Sequence, residues 1–101
     1  KKPAAGGGEG GDPERHKLEG NERFAAGDYA GAVGCFTRAI EASGGSPSAA
    51  HLTNRAAAHV RLGDFEACLR DASDALRADG GHVKAWYRKG QALEGLGRLG
   101  E

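Results

Sequence analysis

The chain has 101 residues, a length typical of one domain, and its 14 lysines and arginines balance 14 aspartates and glutamates. Zero formal net charge argues against broad, charge-driven binding to nucleic acid or to a membrane surface. The 18 glycines and 19 alanines indicate that backbones pack closely around small side chains.

The first residues of the chain are low in complexity. Residues 1–11 read "KKPAAGGGEGG", have nothing to bury, and are predicted to form a flexible tail or linker. Asp12 and Pro13 then suit a helix N-cap and a first helical position, so we expect one folded domain over residues 12–101. Ser46 and Pro47 offer the same cap before a second helical stretch.

The rest of the chain repeats. "GDYAGAVGCFTRAI" begins at Gly27, "GDFEACLRDASDAL" begins 36 residues later at Gly63, and a weaker copy, "GRLGE", begins 34 residues later at Gly97. A helical stretch precedes each glycine, over residues 13–26, 47–62 and about 82–96. We therefore predict helix–turn–helix units over residues 13–45 and 46–80, and a partial unit over 81–101.

A period of about 34 residues with a helix–turn–helix in each unit resembles the tetratricopeptide repeat (TPR) family. The positions that carry the resemblance are Gly20, Tyr29, Ala32, Phe36, Ala39, Leu52, Ala56, Phe65, Ala75, Trp86 and Gly90. The resemblance implies an all-α, superhelical solenoid of about two and a half repeats in five helices. Small residues should let the helices of a hairpin approach closely. Tyr29, Phe36, Phe65 and Trp86 should fill the space between hairpins.

Within such a solenoid, the first helix of each unit is expected to line the concave surface. The polar residues on those helices are Lys17, Asn21, Asn54, Lys84 and Arg88. The first two and the last two are each spaced i, i+4, which places both members on one helical face. The five positions match the dicarboxylate clamp of co-chaperone TPR domains, which reads Lys-x-x-Gly-Asn, then Asn-Arg, then Lys-x-x-x-Arg.

That resemblance implies a ligand, the C-terminal "EEVD" tail of the cytosolic 90-kDa or 70-kDa heat-shock chaperones. Lysine and arginine pair with the two carboxylates of a terminal aspartate, and asparagine amides donate without adding charge. The predicted function is a non-enzymatic co-chaperone adaptor. "DGGHVKAWYRKGQALEGLGRL" further resembles the UCS-type myosin co-chaperones, which implies a role in myosin folding. The alternative is a structural scaffold whose groove binds an internal segment or a subunit of another protein.

Other sequence signals predict no further chemistry. "GLGRLG" at 95–100 follows a helix rather than a strand, which excludes a dinucleotide site. No close metal-ligand spacing joins His16, His51, His59 and His82, and neither a cofactor nor a metal is expected. The "YRK" patch at 87–89 is too small to indicate binding to nucleic acid.

The remaining expectations concern environment and assembly. Cys35 and Cys68 fall in apolar helical patterns, so both are expected to be buried, unpaired thiols. No apolar run approaches the roughly 20 residues that cross a bilayer, and a cytoplasmic location is expected. The fifth helix is expected to leave an apolar face uncovered and open to self-association. The residues predicted for that face are Ala85, Tyr87, Ala92 and Leu96.

Overall fold

Five helices make up the described part of the chain. The computed structural model describes residues 11–44 and 47–97. They form α1 (Pro13–Ala25), α2 (Tyr29–Ala42), α3 (Ala49–Leu62), α4 (Phe65–Ala78) and α5 (Val83–Gly95), with no strand in these ranges. The predicted all-α class with five helices is confirmed. The predicted tail lies outside the described residues apart from Gly11, and the repeat boundaries stay predictions.

Capping side chains fix where the helices begin. The Asp12 carboxylate accepts a hydrogen bond from the backbone N–H of Glu14 at 3.0 Å, and Pro13 follows in the first turn, as predicted. Asp28 and Asp64 cap α2 and α4 in the same way. Each hairpin therefore begins its second helix with the aspartate of the repeated Gly-Asp pair.

The cap of α3 differs from the prediction. Ser48, rather than Ser46, is the N-cap, and its hydroxyl accepts from the backbone N–H of Ala50 at 3.0 Å. Ser46 itself lies outside the described residues. Either serine beside Pro47 has a hydroxyl that can cap a helix. The extended backbone of Ser48, with φ −69° and ψ 140°, places the start of α3 after the proline.

The two complete hairpins turn at matching glycines. Gly27 and Gly63 have φ of 85° and 77°, the left-handed region that glycine adopts without steric cost. The next residue then folds back: the N–H of Asp28 donates to the Arg23 carbonyl, and that of Asp64 to the His59 carbonyl, each at 2.9 Å. The Gly-Asp pair found by the repeat analysis is therefore the turn of each hairpin.

Small side chains form most of the core. Helix α1 packs on α2, α3 packs on both α2 and α4, and α5 packs on α4 and α3. Phe36 and Cys68 are the largest fully buried side chains, and the remainder of the core is mainly alanine. Cys35 and Cys68 are both buried, free thiols, as predicted, and burial raises the pKa of Cys68 to about 11. Every helix in residues 11–44 and 47–97 is too short or too polar to span a bilayer.

The prediction that Trp86 fills the space between hairpins is wrong. Its side chain is 54% exposed, whereas Phe36 is buried and Tyr29 and Phe65 are half-buried. The indole Nε1 of Trp86 donates to the Gly80 carbonyl at 2.9 Å. The tryptophan therefore rests on the outside of α5, over the connection that precedes it.

The uncovered face of α5 also differs from the predicted one. Ala85 and Ala92 are fully buried, because they lie on the side of α5 that packs against α3 and α4. The exposed apolar residues are Val83, Trp86 and Tyr87, which follow i, i+3 and i+4 spacing on another side. Of these three residues, only Tyr87 belonged to the predicted uncovered face. The others were missed because the sequence alone does not fix the rotation of a helix about its axis.

Candidate functional site

A cavity of about 150 Å³ opens where α1, α3 and α5 face one another. Its lining residues are Asn21 and Phe24 from α1, Phe36 from α2, Asn54 and Ala57 from α3, and Arg88 from α5. Three of the five predicted site residues, Asn21, Asn54 and Arg88, therefore lie together. Each comes from a different helix, so the cavity exists only in the folded solenoid.

Helical spacing explains why the cavity is both polar and apolar. Phe24 follows Asn21 by three residues and Ala57 follows Asn54 by three, so each helix presents an amide and an apolar neighbour on one face. Sequence reasoning missed these apolar neighbours, although the same i, i+3 rule could have found them. Phe36 reaches the cavity from α2, and no local pattern indicates that.

Arg88, which lines the cavity, has one buried donor without a partner in the described part of the chain. Its Nη1 donates to Gln91 Oε1 at 2.8 Å, and the guanidinium lies 5.1 Å from the centre of the Tyr87 ring. Its Nε is buried and has no hydrogen-bond partner among the described residues. A guanidinium is always charged and carries only donors, so a cavity lined by Arg88 suits a ligand that supplies acceptor oxygens.

The two predicted lysines do not line the cavity. Lys17 and Lys84 lie one helical turn before Asn21 and Arg88, respectively. Lys17 Nζ is 2.5 Å from the Glu14 carboxylate, and its side chain is 27% exposed. Lys84 is exposed. Both cations therefore lie one turn away from residues of the cavity wall, and Lys17 is paired with Glu14.

A buried histidine lies beside Lys17 at the start of α3. His51 is 7% exposed, and burial lowers its pKa; the Lys17 charge adds to that lowering, while Glu14 opposes it. Burial therefore favours the neutral form of His51. The polar side chains lining the cavity are two amides, which can donate, and a guanidinium; no carboxylate of the described residues lies among them. This arrangement suits a small anionic group.

The chain belongs to the tetratricopeptide repeat family, since the model of that family matches residues 17–67 and 53–101. Among curated proteins, it is 36% identical over 89 residues to Protein unc-45 homolog B of Xenopus laevis. That match covers 87% of this chain and 10% of the relative, so the chain spans about a tenth of the relative's length.

Two similar solved structures contain chaperone peptides. The second TPR of Spaghetti (RPAP3), bound to the HSP90 peptide SRMEEVD, has a TM-score of 0.83 and 32% identity, covering 95% of this chain and 87% of that one. The second TPR domain of human RPAP3, in complex with the HSP70 peptide SGPTIEEVD, has a TM-score of 0.76 and 34% identity. That match covers 86% of this chain and 74% of that one.

Proposed function

We propose that this domain is a protein-interaction adaptor that binds the C-terminal EEVD tail of an HSP90- or HSP70-class chaperone. The observation that carries the proposal is the convergence of Asn21, Asn54 and Arg88, three side chains that can each donate hydrogen bonds, on one cavity. The similarity to two TPR domains in complex with peptides ending in EEVD supports it. The domain acts by binding, and we assign it no catalytic step.

The chemistry of the tail matches this site. A C-terminal aspartate has two carboxylates: Asn21, Asn54 and Arg88 donate to the one at the chain end, and Lys17 and Lys84 pair with the one on the side chain. The apolar wall of the cavity receives the valine that precedes the aspartate. Each charge-assisted hydrogen bond is worth about 1.5–3 kcal/mol before desolvation and ordering costs. The expected affinity is on the order of micromolar, about −8 kcal/mol.

A comparison of two peptides tests the proposal. SRMEEVD with a free C-terminus should bind more tightly than the same peptide with an amidated C-terminus, measured by isothermal titration calorimetry. Arg88→Ala should remove that preference, whereas the matched change Arg70→Ala, at an exposed position of α4, should not. Binding should weaken as salt is added. Equal binding of the two peptides would contradict the clamp and favour the structural scaffold.

The similarity to Protein unc-45 homolog B supports a finer proposal. We infer that the parent protein acts in the cytoplasm as a UCS-type co-chaperone in myosin folding, with this domain recruiting the chaperone. The test adds the full-length protein to a myosin motor domain at a denaturing temperature and follows light scattering. Scattering that is the same with and without the protein would contradict this assignment.

We also infer that the domain self-associates through the exposed face of α5. Val83, Trp86 and Tyr87 are 77%, 54% and 61% exposed and adjacent on one helix, a larger apolar surface than isolated exposed residues provide. Sedimentation velocity over a range of concentrations should show a dimer that Trp86→Gln weakens. A strict monomer at high concentration would contradict this inference.

A further inference from the structure

We propose that Arg55 is a positioning residue that aims its neighbour Asn54 into the cavity. Arg55 does so by fixing the rotation of α3 between α2 and α4. The expected effect of Arg55 on peptide binding rests on the proposed function. Its effect on the orientation of Asn54 does not. Arg55 would not touch the ligand.

The contacts of Arg55 join three helices. Its Nε and Nη2 donate to the two carboxylate oxygens of Asp71 in α4, each at 2.7 Å. Its Nη1 donates to the hydroxyl of Thr37 in α2 at 3.0 Å. His59, one turn further along α3, places its Nε2 3.6 Å from the same carboxylate. We call the paired hydrogen bonds between the Arg55 guanidinium and the Asp71 carboxylate the fork. The Asp71 side chain is only 6% exposed, so the fork is shielded from water.

The fork gives α3 a directional contact that its apolar packing does not supply. Three of its six buried residues are alanines, Ala56, Ala57 and Ala58, and apolar contacts of this kind are non-directional. A bidentate guanidinium–carboxylate pair, in contrast, has one favourable orientation in the plane of both groups. The fork therefore restricts the rotation of α3 more tightly than these apolar contacts do.

The position of Asn54 depends on that rotation. Arg55 and Asn54 are adjacent, so they point in directions about 100° apart around α3. With Arg55 held against the second helices of the two hairpins, Asn54 points towards the first helices, where the cavity lies. A rotation of α3 would carry the Asn54 amide along the wall and away from Asn21 and Arg88.

The test separates positioning from stability. Arg55→Met alone would leave the buried Asp71 carboxylate without its guanidinium partner, so the main variant is the double change Arg55→Met/Asp71→Leu, which removes both charges. The control is Arg77→Met, which removes an exposed ion pair with Asp74 on the same helix as Asp71. Urea denaturation reports whether each protein is folded under the conditions of binding.

Two readouts are then compared on the folded proteins. The first is the dissociation constant for SRMEEVD. The second is the NMR shift of the Asn54 side-chain amide. Asn54 lines the same cavity as the Phe24 and Phe36 rings, so we expect ring currents to displace this shift from its ordinary value. The proposal expects the double variant to bind about tenfold more weakly, the loss of one charge-assisted bond, and its Asn54 amide to move towards the ordinary value. Arg77→Met should change neither readout.

An unmoved Asn54 amide in the double variant overturns the proposal, whatever happens to binding. If the wild-type protein does not bind the peptide, the proposed function fails, and the Asn54 shift alone decides the positioning role. If the double variant does not fold, Asp71→Asn, which keeps the volume and one acceptor oxygen, is measured in the same way and decides in its place.

Discussion

Gly20 in α1 lies directly against Phe36 in α2: a Cβ placed on Gly20 would stand 2.4 Å from Cε1 of the phenylalanine ring. The ring cannot move aside easily, because Phe36 is only 1% exposed. We expect Gly20→Ala to lower the free energy of unfolding by roughly 1–3 kcal/mol through overpacking. Urea denaturation of the variant and the wild type would measure the change.

Gly90 provides the matched control, since it occupies the equivalent position of the third unit. A Cβ on Gly90 meets no atom within 4 Å in the described part of the chain. Gly90→Ala should therefore raise the free energy of unfolding by about 0.5–1 kcal/mol, the ordinary gain for alanine within a helix. A loss of stability at Gly90 equal to that at Gly20 would contradict the close approach as the cause.

Lys84 and Lys89 allow a test of the clamp on one helix. Lys84 lies one turn before Arg88, whereas Lys89 places its Nζ 5.4 Å from the centre of the Trp86 ring, on the exposed face of α5. We expect Lys84→Ala to weaken SRMEEVD binding by about tenfold or more, the cost of one charge-assisted bond. Lys89→Ala removes the same charge and should have little effect. Equal losses would indicate a general attraction between charges instead of a defined contact.

The stability of the fold should depend on pH through two histidines in α3. Burial lowers the pKa of both His51 and His59 below the ordinary value of 6.5. The unfolded chain therefore takes up protons before the folded protein does, and protonation favours unfolding. The free energy of unfolding should be level above about pH 7 and fall below about pH 6.5, by up to about 1.4 kcal/mol per pH unit for each histidine.

Denaturant titrations between pH 7.5 and 5 would measure this fall, in a range where the carboxylates stay ionised. His51→Gln and His59→Gln should each flatten the curve, since glutamine does not titrate. The two changes should add if each histidine contributes independently. If the free energy of unfolding of both variants falls with decreasing pH as steeply as that of the wild type, the pH dependence comes from other groups.

The two thiols should be unreactive in the folded protein. Cys35 and Cys68 are 2% and 0% exposed, and burial raises the pKa of Cys68 to about 11, so little thiolate is available at pH 8. Ellman's reagent should modify neither thiol in native buffer and both in concentrated urea. Ala30→Cys, at an exposed position of α2, serves as the control and should add one fast-reacting thiol. Rapid reaction of the native wild-type protein would contradict the burial of these cysteines.

Much of the fold could be predicted from local patterns. The repeated Gly-Asp pair marked the turn of each hairpin, and Asp12 with Pro13 marked the start of α1. The choice of Ser48 over Ser46 could not be predicted, since both serines carry the same capping hydroxyl beside Pro47.

The candidate site was predicted less completely. The i, i+4 rule placed Lys17 with Asn21 and Lys84 with Arg88 on shared faces, but only the second member of each pair lines the cavity. How far a side chain stands from a neighbouring helix depends on where the two helices cross. That crossing is set by contacts such as Gly20 against Phe36, between residues distant in sequence.

The sequence by itself determined the number of helices, their turns and the set of polar residues on the first helix of each unit, because these depend on residues a few positions apart. Only the tertiary structure decided which of those residues meet in one cavity, and that Val83 and Trp86, rather than Ala85 and Ala92, face outward on α5. The physical reason is that a helix acquires a definite rotation only when it packs. In this protein that rotation depends on side chains of other helices, among them Phe36 and Asp71, that no local pattern connects to the site.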